Sequence, residues 1–133
     1  MSDLATRDDV EALLRRFYGR AFADNVLAEP FSELRETGLE PHLEVMCDFW
    51  QTVLFRAGIY RRNALVVHRL LDKRYPLSAR HFDRWLEIWK KTVDEMYDGP
   101  AANRAKIQAA RIAGSMHRRL RGRDVSPPAA SRM

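Results

Sequence analysis

A short apolar run ending in an imidazole, Tyr60-Arg61-Arg62-Asn63-Ala64-Leu65-Val66-Val67-His68-Arg69, holds the most chemically suggestive residue of the chain, His68. Upstream, His42 shares a segment with Met46, Phe49 and Trp50; downstream, His81-Phe82-Asp83-Arg84-Trp85-Leu86 opens another apolar stretch. A neutral imidazole nitrogen is the commonest protein metal ligand. Two histidines on separate helices, with aromatics beside each, could flank a flat apolar cofactor, and that picture suggests haem.

Other polar groups stand on apolar stripes. His42, Met46, Phe49 and Val53 follow one another at intervals of four, three and four, so His42 shares a helix face with residues that are otherwise apolar. Tyr18 lies four residues after Leu14 and three before Ala21, which puts its phenol on a buried face with a hydroxyl needing a partner. Trp85 shares its face with Phe82, Ile88 and Trp89, again with one N–H to satisfy. Each of these also reads as an ordinary core residue whose polar atom is satisfied internally. Cys47 reads as a small core residue, and His81 and His117 receive no role. A zinc site is not supported, because His42 and Cys47 stand roughly 140° apart on a helix and no second close ligand pair exists. The six glycines are scattered and form no phosphate loop, and no nucleophile–base signature is present.

The elements that must position these groups are helical throughout. Between Asp8 and about Asp24, Val10, Leu13, Leu14, Phe17, Tyr18, Ala21 and Phe22 recur at three and four, with Thr6, Asp8 and Asp9 as capping oxygens. Residues 25–40 are irregular or short-helical, broken by Pro30 and Gly38. Pro41 suits the first turn of a helix to about Arg56, ended by Gly58. A short helix from about Asn63 to Leu71 carries His68. Ser78 caps a long helix to about Tyr97, and Asp98-Gly99-Pro100 separates it from a last helix ending near Leu120. No strand-like alternation or internal repeat appears. The expected organisation is one globular domain over 1–121 and a flexible C-terminal tail over 122–133.

Composition agrees with a single domain: 133 residues, 46% hydrophobic, are enough to bury a core without staples. One cysteine excludes an internal disulfide, no apolar stretch approaches the ~20 residues that span a bilayer, and the N-terminal residues lack a signal-peptide core. A cytoplasmic protein without a membrane association is expected. The net charge of +5 raises the question of nucleic acid, but the cations are spread along the chain. Their densest group, His117-Arg118-Arg119-Leu120-Arg121-Gly122-Arg123, sits where cations complement a helix C-terminus.

Taken in order, Phe17-Tyr18, Pro30-Phe31, His42 with Phe49-Trp50 following, Tyr60 eight residues before His68, and His81-Phe82 leading to Arg84-Trp85-Leu86 resemble the group III truncated haemoglobins, from about Val10 to Leu120. The glycine pairs that mark groups I and II of that family are absent, and Met46 stands where a smaller branched residue is common. The resemblance implies an all-α, two-over-two helical sandwich around haem b, with His68 as the proximal iron ligand. It places Tyr18, His42 and Trp85 at the distal positions, where O–H and N–H donors stabilise negative charge on bound oxygen and slow its release. Phe31, Met46, Phe49, Val67 and Phe82 match apolar positions around the cofactor. Arg69 is the first choice of cation for the propionates, with Arg61, Arg62 and Arg84 as alternatives. The implied ligands are oxygen, nitric oxide and carbon monoxide. The implied chemistry is nitric oxide oxidation or peroxidase-like activation rather than oxygen transport, served by an unidentified reductase, in a monomer or weak dimer that binds no nucleic acid. The competing reading is a cofactor-free basic helical adaptor or DNA-binding protein in which His42, His68 and Trp85 are core.

Overall fold

The computed structural model describes residues 1–55 and 77–125, the last five by their backbone. The segment around His68, with Val67, Arg69, Arg61 and Arg62, lies outside the described residues, as does 126–133.

Helix α1 spans Arg7–Ala23. Its start is fixed by a reciprocal cap: Thr6 Oγ1 accepts from the Asp9 N–H at 3.2 Å, and Asp9 Oδ2 accepts from the N–H of Thr6 at 3.1 Å and of Ala5 at 2.9 Å. The stripe Val10, Leu13, Leu14, Phe17, Tyr18 and Ala21 is buried, as the periodicity requires. Asp24 ends the helix and starts the next turn, its carboxylate accepting from the N–H groups of Val26 and Leu27. The short α2, Ser32–Thr37, ends at Gly38, whose φ of 107° suits a residue without a Cβ. Helix α3, Glu40–Phe55, carries Pro41 in its first turn, where a missing N–H costs nothing.

Helix α4 spans Ala79–Met96. Its cap uses an unforeseen partner, since the backbone N–H of Ser78 donates to His81 Nδ1 at 3.0 Å. Helix α5 spans Pro100–Val125, a turn past the expected end near Leu120. Gly122 lies inside it, where a glycine costs only about 1 kcal/mol relative to alanine. Residues 122–125 therefore continue the helix instead of beginning the tail.

The helices pair α1 with α3 and α4 with α5, and the pairs close on each other through α1 against α4 and α3 against α5. This is the two-over-two sandwich that the resemblance implies. Close approach of α5 follows from its small stripe, Ala101, Ala102, Ala105, Ala109 and Ala113, all buried. Beyond it Met116 and Leu120 widen the helix into a second cluster with Leu77 and Phe82. Polar ties cross the seams: Trp89 Nε1 donates to the Ala105 carbonyl at 3.1 Å, Arg20 reaches Thr92 and Glu95, and Arg7 reaches Asp48 and Gln51. Among the described residues no helix is long and apolar enough to cross a membrane.

Candidate functional site

Two stripes run side by side on α3. Leu43, Cys47, Trp50 and Leu54 are buried and join the core. One residue earlier in each turn, His42, Met46, Phe49 and Val53 are only half-buried. The face singled out by spacing is thus the rim of the core, turned about 100° from the fully buried stripe. Large apolar groups left half-covered on a rim are suited to contact something further.

At the head of that rim, Tyr18 and His42 meet. The phenol oxygen lies 2.9 Å from His42 Nε2, and the rings stand edge to face at 5.3 Å. Tyr18 is 5% exposed. Burial pushes its phenol far above the ordinary tyrosine range, the nearby Cys47 adding to the shift, so the group is an O–H donor at every physiological pH. The bond has two polarities. Either the phenol donates to an unprotonated Nε2, or a protonated Nε2 donates to the phenol oxygen and leaves the O–H free for another acceptor. Cys47 beneath them is buried, and burial raises its pKa against the opposing pull of Arg7, which keeps it a thiol.

Aromatic rings enclose the pair. Phe31 stands at right angles to Tyr18 at 5.9 Å, Phe22 lies 6.1 Å from Tyr18, and Phe22 and Phe31 are 6.3 Å apart. Phe22 was read only as a helix-face residue. Its place four residues after Tyr18, on the same face, is the signal that would have found it. Trp85 is one ring further away, with Phe17 standing edge-on between the groups at 5.2 Å from Tyr18 and 5.8 Å from Trp85. The Trp85 indole N–H meets no acceptor among the described residues. Phe49 packs edge-on against Trp50 at 5.4 Å.

The structure therefore brings Tyr18, His42 and Phe31 into contact, sets Met46 and Phe49 along the same rim, and holds Trp85 one ring away. Phe82 sits elsewhere, against Leu77, Met116 and Leu120, with the His117 ring at 5.1 Å. Arg84 is already engaged. Its Nε donates to Asp24 at 2.7 Å and its Nη1 to Glu87 at 2.7 Å, so it fastens α4 to the end of α1. Among the described residues no three His, Cys, Asp or Glu side chains gather as metal ligands.

No protein-family model matches the chain, and no curated protein matches it. Among solved structures, a group III truncated haemoglobin from Campylobacter jejuni superposes with a TM-score of 0.79 at 22% identity, covering 90% of this chain and 95% of that one. With its paired helices and the rim that α1 and α3 build between them, the chain has the fold of a truncated globin.

Proposed function

We propose that this chain binds haem b and takes oxygen and other diatomic ligands at its iron. The observation that carries the reading is the Tyr18–His42 pair, a buried donor set in a rim of half-covered aromatic and apolar groups. The likeness of fold to the Campylobacter jejuni haemoglobin supports it. A flat apolar cofactor suits this donor set, because Phe31, Met46 and Phe49 have apolar surface still to cover. Haem would supply an iron able to bind oxygen, nitric oxide or carbon monoxide.

The chain's own residues do the rest. His68 would hold the iron, with Val67 beside it and Arg69 near the propionates; Phe82 would serve the cofactor's apolar edge from its cluster with Met116 and Leu120. Tyr18 donates its O–H to an electronegative acceptor in the pocket, in exchange for the unprotonated His42 Nε2 that takes the same proton when no such acceptor is there. Trp85 offers an indole N–H as a second donor. Phe22 and Phe31 keep water from competing for those donors. A pocket that grips its ligand through more than one donor suits chemistry on the ligand, nitric oxide oxidation or peroxide activation, better than oxygen delivery. An unidentified reductase would renew the iron, and a cytoplasmic monomer or weak dimer is sufficient for these roles.

The test is iron ligation. His68→Gly is expected to lose the native ferrous spectrum and to regain it with added imidazole, which fills the cavity left by the ring. A spectrum unchanged by the substitution would remove His68 from the role.

A further inference from the structure

The protein contains three tryptophans, and the fold puts all three in one file. The Trp85 and Trp89 rings lie parallel to within 2° with centroids 6.0 Å apart, and Trp89 and Trp50 lie 4.6 Å apart at 19°. Among the described residues these are the only stacked ring pairs; the other contacts are edge-on or tilted. Trp50 and Trp89 are 2% and 1% exposed, whereas Trp85 is half-buried and lies across Phe17 from Tyr18. The file thus begins beside the candidate pocket and ends in the core. The Trp89 N–H is held by the Ala105 carbonyl, which accepts a hydrogen bond but cannot take the proton.

Indole is among the most easily oxidised side chains, and near-parallel rings at centroid distances of 4.6 and 6.0 Å are close enough to pass a positive charge between them. We propose that Trp85, Trp89 and Trp50 form a hole-storing relay, which gives up one electron when hydrogen peroxide reacts at the pocket and keeps the resulting indole cation radical in the core. Peroxide breaks its O–O bond and leaves as two waters, taking two protons from solvent and two electrons. One electron comes from the iron and the other from the file. A one-electron reductant such as ascorbate refills the file through Trp85. The relay rests on the haem reading above, so its test needs an arm that does not depend on haem.

Ferric, haem-loaded protein mixed with one equivalent of hydrogen peroxide and freeze-quenched should give an electron paramagnetic resonance signal that changes when the tryptophan rings are deuterated. Trp85→Phe should lose that tryptophan signal, and Trp50→Phe should keep it but shorten its life. A signal carried by tyrosine alone, or one indifferent to Trp85→Phe, overturns the relay. In the second arm, a flash-excited ruthenium tris-bipyridyl with persulfate oxidises the protein with no haem added, and transient absorption follows the indole radical. Shorter lifetimes in both Trp50→Phe and Trp85→Phe than in the wild type support the file even if the haem reading fails. Equal lifetimes in all three proteins overturn it.

Discussion

A buried phenol and a half-buried imidazole satisfy each other at 2.9 Å, and the sharing makes their substitutions unequal. Tyr18→Phe removes the donor and keeps the packing. A hydrogen bond to a charged acceptor is worth about 1.5–3 kcal/mol, so in the haem-loaded protein oxygen should dissociate roughly ten- to a hundredfold faster, read by stopped flow. His42→Leu instead frees the Tyr18 hydroxyl from competition for its proton. Oxygen release should then stay the same or slow, while carbon monoxide rebinding after flash photolysis changes because the pocket rim has lost its polar residue. If His42→Leu speeds oxygen release as much as Tyr18→Phe does, His42 is a direct donor and the pairing is not the organising contact. Much of this pair was legible in the chain, because a polar residue on a three-and-four stripe has few places to point. What the stripe could not tell was which of two adjacent stripes on α3 would be core. That depended on Trp50 finding Trp89 on another helix, a contact no local spacing encodes.

Helix ends show the same division. The cap of α1 is local, Thr6 with Asp9, and was readable; the cap of α5 is not. The N–H groups of Ala101 and Ala102 donate to the Asp3 carboxylate at 2.9 Å and 2.8 Å, and the Asp98 N–H donates to the Ser2 carbonyl at 3.0 Å. The chain can pass this close because Gly99, at φ 146°, has no Cβ; one placed there would come within 2.5 Å of Asp3 Cγ. Gly99→Ala should destabilise the fold by about 1–3 kcal/mol, since it combines backbone strain with a clash. Asp3→Ala should cost about 1 kcal/mol, the usual worth of a helix cap. The double variant should cost less than the two added together, because removing the carboxylate takes away two of the three clashing atoms, Cγ and Oδ2, and leaves only the Asp3 Cβ at 2.7 Å. Urea denaturation of the four proteins measures the coupling, and strict additivity would mean that Asp3 and Gly99 do not meet as described.

Across the whole molecule, charge is less evenly spread than the linear sequence suggests. Helix α5 holds seven cations, Arg104, Lys106, Arg111, Arg118, Arg119, Arg121 and Arg123, against the single Asp124, a balance of +6, so the remainder of the chain carries −1 of the total of +5. Among the described residues several carboxylates fasten helices together, and of those in ion pairs Asp24 is the most enclosed, its side chain 8% exposed. Burial works against its charge, but the Arg84 guanidinium and the N–H groups of Val26 and Leu27 overcome that penalty and hold its pKa below the usual aspartate value. A carboxylate depressed in the folded state stabilises fully above its unfolded pKa, about 3.9, and loses that contribution as pH falls through the folded value. Denaturation midpoints should therefore be flat from neutral pH to about 5 and fall below about 4. Asp24→Asn should lower the neutral plateau and make the acid decline shallower; an unchanged decline would mean that Asp24 does not titrate as its contacts require. The helices themselves were readable from periodicity and breaker residues, and their two-over-two arrangement only from the family resemblance, whereas the ties at Asp24, Asp3 and the buried Thr92 join residues far apart in sequence and leave no local mark. The Asp3 clasp also bears on how the protein is made. Asp3 leaves the ribosome 98 residues ahead of the helix start it caps, a delay on the order of 5–20 seconds at ordinary rates of synthesis. Through that interval α1 and α3 hold each other but wait for the partners that close the sandwich, α4 on α1 and α5 on α3, so the nascent chain carries uncovered apolar surface until its last helix arrives.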